Sequence, residues 1–142
     1  LIPTGEVAPV AGTPMDFTTS HVIGARVEED FEALKLGAGY DHAWVLSGEK
    51  DGDLTRAARL KDPETGRVMT ISTNQPAIQF YGGNFLDGTV TGKGEVVYEH
   101  RTALCLETEN YPDAPNNPDA PSAVLQPGET YYHKMVHAFS AE

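Results

Sequence analysis

Alternation of apolar and polar residues predicts short β-strands along most of the chain. The clearest examples are Arg67–Thr73 and Ala77–Tyr81, which are rich in β-branched and aromatic residues and are bounded by turn-forming residues. The segment Asp62-Pro63-Glu64-Thr65-Gly66 separates Arg56–Leu60 from the first of these strands and has the composition of a hairpin loop. We therefore predict antiparallel strands joined by tight turns.

Helical signals are weak in this chain. Fourteen Gly and ten Pro interrupt it, and one short helix is predicted where Val27, Phe31 and Leu34 recur at helical spacing. The four prolines of Tyr111–Pro121 predict a long loop, and the opening Leu1–Phe17 is also loop-like. The remaining predicted strands lie within Gly39–Leu46, Val96–Tyr98, Ala103–Thr108 and Thr130–Phe139. The predicted fold class is all-β, an antiparallel β-sandwich.

Composition narrows the classes of partner. The 142 residues fit one domain, residues 1–142, and the net charge is −11 from 10 basic and 21 acidic residues. Such acidity argues against nucleic acid and against an anionic membrane surface, and no apolar run approaches the roughly 18 residues of a membrane span. A single Cys105 excludes an internal disulfide. His133 and His137 would lie about 13 Å apart along a strand, so we predict no metal site.

Glu107 is the first candidate for chemistry. In Ala103–Glu109, alternation places Cys105 and Glu107 on one face of a strand and the core-like Leu104 and Leu106 on the other. A carboxylate beside small residues is typical of a surface that lines a ligand site. The alternative is an ordinary solvated strand carboxylate, which composition alone favours.

Gln79 and Asp41 are the other two candidates. Gln79 shares a strand face with Tyr81, and an amide beside an aromatic ring suits a sugar; the alternative is an amide that bonds a neighbouring backbone. Asp41 follows Gly39-Tyr40, where an ordinary turn residue is the alternative.

Three motifs resemble the C-terminal part of the aldose 1-epimerase (galactose mutarotase) family. They are Gly39-Tyr40-Asp41-His42, the segment from Gln79 to Gly88, and Cys105-Leu106-Glu107-Thr108 with the Glu109–Ala114 that follows. The resemblance runs over almost the whole chain. It implies that residues 1–142 are the C-terminal portion of a large mutarotase-like supersandwich whose N-terminal portion is missing.

The same resemblance implies a function. It assigns Glu107 as the general base of hexose anomer interconversion and Asp41 and Gln79 as sugar-binding residues, with His42 as part of a loop. It implies no cofactor and no metal, and it implies a histidine acid supplied by an N-terminal fragment of the same enzyme. The partners expected are thus a hexose, such as galactose or glucose, and that fragment.

Two other functions are compatible with these motifs. A non-catalytic carbohydrate-binding module would keep Asp41, Gln79 and Glu107 but lack the histidine acid. An enzyme acting on a phosphorylated hexose would need Arg or Lys around the phosphate, and the sequence has no such cluster.

Overall fold

Short strands dominate the structure, a computed structural model that describes residues 2–142. The strands Leu54–Lys61 (β3) and Arg67–Thr73 (β4) form an antiparallel hairpin with one register shift between Arg56 and Ala58. Its loop closes through a Gly66 N–H···O=C Asp62 hydrogen bond of 2.9 Å and through the Thr65 hydroxyl, which donates to the Asp62 carboxylate. The other strands are Asp41–Val45 (β1), Lys50–Asp51 (β2), Ala77–Tyr81 (β5), Cys105–Glu109 (β6) and Met135–Ala141 (β7).

The strands form two sheets, with orders β1-β5-β6 and β2-β3-β4-β7. Every pair in the four-stranded sheet is antiparallel. In the other sheet, Gly82 donates to the Tyr40 carbonyl at 2.8 Å and Leu46 to the Pro76 carbonyl at 2.9 Å. Because residue numbers rise along β1 as they fall along β5, these two strands are also antiparallel. The predicted all-β, antiparallel class is confirmed.

The chain divides into two compact units. One contains Pro3–His42 and Phe80–Cys105, and the other contains Ala43–Gln79 and Leu106–Glu142. In the first unit, the ring of Tyr40 stacks on Phe80 at 5.2 Å between centroids, and Phe17 meets Tyr40 edge-on at 5.2 Å. In the second unit, Val68 and Ile71 are buried within the four-stranded sheet.

Several predicted boundaries need correction. The predicted strand Val96–Tyr98 is wrong: a single bridge joins Thr91 to Val97, and a 3-10 turn at Lys93–Glu95 occupies the space between them. Gly94 adopts a φ of 71° there, which an extended strand does not contain. The final strand spans Met135–Ala141 rather than Thr130–Phe139. Just before it, Lys134 bonds the Asn74 backbone N–H and the side chains of Thr73 and Asn74.

The helix is shorter than its pattern indicates. It spans Glu32–Gly37 (α1) and ends where Ala38 turns into the left-handed region at φ 51°. Val27 lies in the preceding turn, and both it and Leu34 are buried. The predicted loop Tyr111–Pro121 is confirmed apart from one 3-10 turn at Ala114–Asn116, and another such turn spans Ile23–Ala25. No helix within residues 2–142 is long and apolar enough to cross a membrane.

Candidate active site

Glu107 lies at the centre of β6 on its exposed face. Cys105 and Glu107 are exposed, Leu106 is half-buried, and Thr108 is only 8% exposed. The predicted exposure of Cys105 and Glu107 is confirmed, whereas Leu104 and Leu106, which look core-like in the sequence, are only half-buried. Thr108 fixes the strand from the opposite side, since its hydroxyl lies 2.8 Å from His133 Nε2 and 3.2 Å from Met135 Sδ.

Glu109 is a second acid on the same strand, and sequence reasoning assigned it no role. It is half-buried, and its Oε1 is enclosed without a hydrogen-bond partner among residues 2–142. Burial first, and then the negative charge of Glu107, raise the pKa of the Glu109 carboxyl above its ordinary value. The signal was available in the spacing, because residues i and i+2 of a strand share a face.

Gln79 occupies the middle of β5. Its neighbours Ile78 and Phe80 are 4% and 7% exposed, whereas Gln79 and Tyr81 are half-buried. The buried face of β5 therefore packs into the interior, while the face that carries Gln79 is partly accessible to solvent. Because β5 pairs directly with β6, the structure brings Gln79 and Glu107 onto neighbouring strands of one sheet within the second unit.

Asp41 belongs to the first unit and begins β1. It follows Tyr40, which is fully buried and whose hydroxyl donates to the Pro14 carbonyl at 3.0 Å. The Tyr40 carbonyl accepts from Asn84 Nδ2 and from the Gly82 N–H, each at 2.8 Å. The backbone that leads into the half-buried Asp41 is therefore fixed at several points.

His42 lies in β1, so its assignment to a loop is wrong. Its half-buried ring accepts the backbone N–H of Asp41 on Nδ1 at 3.0 Å and is hydrogen-bonded to the Ala33 backbone. Burial lowers the pKa of His42, while the Ala33 hydrogen bond and the Asp41 charge oppose that shift.

A cavity of 490 Å³ lies in the first unit but contains none of the predicted site residues. Tyr40, Asn84 and Arg101 contribute to its wall. Arg101 is already engaged, because it donates to the Asn84 side chain at 3.2 Å, to the Ala38 carbonyl at 2.8 Å and to Glu28. Within residues 2–142, no group of three His, Cys, Asp or Glu side chains is arranged to hold a metal ion.

The fold and these side chains define a class: an all-β sandwich protein with a carboxylate and an amide on neighbouring strands. The family model described as aldose 1-epimerase matches residues 1–138, and the chain belongs to this family. It is 45% identical to human galactose mutarotase over 140 residues, which are 99% of this chain and 39% of the relative. It is 37% identical to an aldose 1-epimerase of Escherichia coli (strain K12) over 143 residues, which are 99% of this chain and 40% of the relative.

A solved structure is similar as well. The crystal structure of an aldose epimerase homologue from C. elegans superposes with a TM-score of 0.79 at 28% sequence identity, covering 98% of this chain and 40% of that one. The family resemblance seen in the motifs is thereby confirmed. The chain spans about two fifths of the length of the relatives it matches.

Proposed function

We propose that this chain is the C-terminal part of a mutarotase that interconverts the α and β anomers of a hexose such as galactose or glucose. The observation that carries the proposal is the placement of Glu107 in a chain of the aldose 1-epimerase family. Glu107 is exposed on a strand whose other face is fixed by Thr108. A general base needs this combination of an accessible carboxylate and a rigid support.

In the proposed reaction, the Glu107 carboxylate takes the proton of the C1 hydroxyl while a histidine acid protonates the ring oxygen. The bond between C1 and the ring oxygen breaks, and an open-chain aldehyde forms. Rotation about the C1–C2 bond presents the other face of the aldehyde. The reverse proton transfers then close the ring as the opposite anomer, and both catalytic groups regain their original protonation states. Asp41 and Gln79 are proposed to bind the sugar hydroxyls.

The histidine acid is proposed to come from an N-terminal portion of the same enzyme. Relatives are about two and a half times as long as this chain, since it covers 39% of human galactose mutarotase. Strand β7 ends the sheet order and is exposed along its length, with Phe139 75% exposed and Met135 43% exposed. An apolar edge strand is unfavourable in water unless another segment covers it.

Polarimetry on the full-length enzyme tests the role of Glu107. We expect Glu107→Gln to slow mutarotation by about 100-fold or more, as loss of a general base does. The matched control is Glu6→Gln, a change of the same kind at an exposed residue outside the site, which should leave the rate unaltered. Wild-type mutarotation by Glu107→Gln would exclude Glu107 as the base. A full-length protein that binds hexose without mutarotation would instead be a carbohydrate-binding module.

The need for an N-terminal portion has its own test. We expect residues 1–142, purified alone, to self-associate or unfold without a sharp transition and to lack mutarotase activity. Size-exclusion chromatography, thermal unfolding and polarimetry measure these three properties. A monodisperse monomer that unfolds cooperatively and is active would contradict the proposal.

A further inference from the structure

The imidazole of His42 hydrogen-bonds two backbone groups next to the proposed sugar-binding Asp41. Nδ1 accepts the Asp41 backbone N–H at 3.0 Å, and the ring is also hydrogen-bonded to the Ala33 backbone. Ala33 belongs to α1 and Asp41 begins β1, so the ring links the helix to the start of the strand. All of these residues lie in the first unit.

These bonds define one protonation state. A nitrogen that accepts a backbone N–H carries no hydrogen itself, so Nδ1 is bare and the proton of the neutral ring is on Nε2. Protonation of Nδ1 would set its N–H against the Asp41 backbone N–H, so that two donors faced each other without an acceptor. Burial favours the neutral ring, since it lowers the pKa of His42. Asp41 is the charge that acts on the ring, whereas Glu32 and Lys35 of α1 are exposed.

The surrounding chain leaves room for this arrangement. A Cβ atom on the buried Gly37 would come within 3.0 Å of His42 Cε1, which is tighter than ordinary contact. Glycine at the end of α1 therefore permits the ring to lie against the helix. The imidazole therefore lies between the Asp41 backbone N–H and Gly37.

We propose that His42 is a positioning residue, whose neutral imidazole fixes the Asp41 peptide and so directs the Asp41 carboxylate toward a hexose hydroxyl. This inference rests on the proposed function of Asp41 as a sugar ligand. A carboxylate that is already in its binding orientation loses less conformational entropy when it binds the sugar hydroxyl. The effect therefore belongs to sugar binding and not to the proton transfers.

Two variants of the full-length enzyme separate the two hydrogen bonds. The amide of His42→Asn lies where Nδ1 does, so its oxygen retains the acceptor for the Asp41 N–H. The amide of His42→Gln reaches the Nε2 position and loses that acceptor. We expect His42→Gln to raise KM for the hexose about five-fold, the effect of one hydrogen bond, with kcat changed less than about two-fold. His42→Asn should keep KM near the wild-type value, as should His21→Gln at an exposed histidine.

A double-mutant cycle distinguishes positioning from general damage. In the Asp41→Ala background, His42→Gln should raise KM no further, whereas a purely structural defect would act in both backgrounds. If Asp41→Ala leaves KM unchanged, the proposed function of Asp41 fails. If Asp41→Ala raises KM but His42→Gln does not, the inference about His42 fails.

The tautomer offers a test that does not depend on activity. The ¹⁵N chemical shifts of His42 in the wild-type full-length enzyme at neutral pH should show a bare Nδ1 and a protonated Nε2. The opposite tautomer, or a doubly protonated ring, would overturn the proposal. This measurement keeps the proposal testable even if His42→Gln does not fold.

Discussion

Substitution of Gly39 by alanine should strongly destabilise the protein, and the structure gives the reason. Gly39 adopts a φ of +127°, which residues with a side chain rarely adopt. An added Cβ atom would lie 2.4 Å from Asn84 Oδ1 and 2.9 Å from an Arg101 side-chain nitrogen. Asn84 is only 6% exposed and donates to the Gly37 and Tyr40 carbonyls, so it cannot move without breaking buried hydrogen bonds.

The magnitude follows from two contributions. Backbone strain at such a φ costs about 1–3 kcal/mol. Displacement of a buried hydrogen-bonding amide costs about 1–3 kcal/mol more. The expected loss for Gly39→Ala is therefore about 2–6 kcal/mol, a large part of the roughly 5–15 kcal/mol that stabilises a typical protein.

Chemical denaturation of the full-length protein measures this loss, and two glycines of the same unit provide controls. Gly94 has a φ of +71° with open space around it, so Gly94→Ala reports backbone strain alone. Gly24 has open space and no unusual φ, and Gly24→Ala should change the free energy of unfolding by less than about 0.5 kcal/mol. Gly39→Ala should cost clearly more than either variant.

The clash itself is tested by removing its partner. If Asn84 causes the loss, Gly39→Ala combined with Asn84→Ala should cost at least about 1 kcal/mol less than the sum of the single variants. Additive losses would show that Asn84 is not the obstacle. A Gly39→Ala protein no less stable than Gly94→Ala would refute the reasoning altogether.

Two further predictions concern β6, both measured on the full-length protein. Thr108→Val should lower the free energy of unfolding by about 1 kcal/mol, because it removes the part-buried contact with His133 Nε2 at 2.8 Å. The control Thr19→Val removes an exposed contact with His21 of 3.1 Å and should have almost no effect. Equal losses of stability in the two variants would contradict this reasoning. Glu109→Gln should stabilise the protein at neutral pH relative to Glu6→Gln. The raised pKa of Glu109 means that the folded state disfavours its ionised form, so stability is lost as pH rises above the ordinary glutamate pKa of about 4.3. Thermal unfolding from acid to neutral pH should therefore show a growing gap between the two variants, and a less stable Glu109→Gln would mean that the carboxylate has a partner.

The strands that could be predicted from the sequence are those with strong local signals. Arg67–Thr73 and Ala77–Tyr81 were predicted with the bounds observed, since alternation and flanking turn residues agree there. Val96–Tyr98 has the composition of a strand, and Val96 and Tyr98 make backbone hydrogen bonds with Gly92 and Val90 across the turn at Gly94, but this pairing amounts to a single bridge. Composition describes a segment alone, whereas the length of a strand also depends on how far a partner continues beside it.

The candidate site was predictable where a side chain's role depends on strand alternation. The exposed position of Glu107 followed from that alternation, and the structure confirms it. The roles assigned to Glu107, Asp41 and Gln79 remain proposals. Strand spacing places Glu109 on the face of Glu107, but the enclosure of its carboxylate depends on tertiary packing, which residue type does not encode. For His42, residue type does not predict which backbone groups the ring bonds.

Packing also explains what supports the polar side chains of Asp41, Gln79 and Glu107. Buried neighbours in the chain support each of them: Tyr40 precedes Asp41, Phe80 follows Gln79, and Thr108 follows Glu107. Because adjacent strand residues face opposite ways, a neighbour held in the interior necessarily directs the polar side chain outward.

These supporting residues differ in kind, so substituting them should have different effects on stability. Truncation of a buried aromatic such as Tyr40 would cost about 3–5 kcal/mol and disturb the unit as a whole. Loss of a single hydrogen bond at Thr108 or at His42 costs far less and leaves the fold intact. Substitutions at these two polar supports are therefore the ones that can separate the position of a site residue from the stability of the protein.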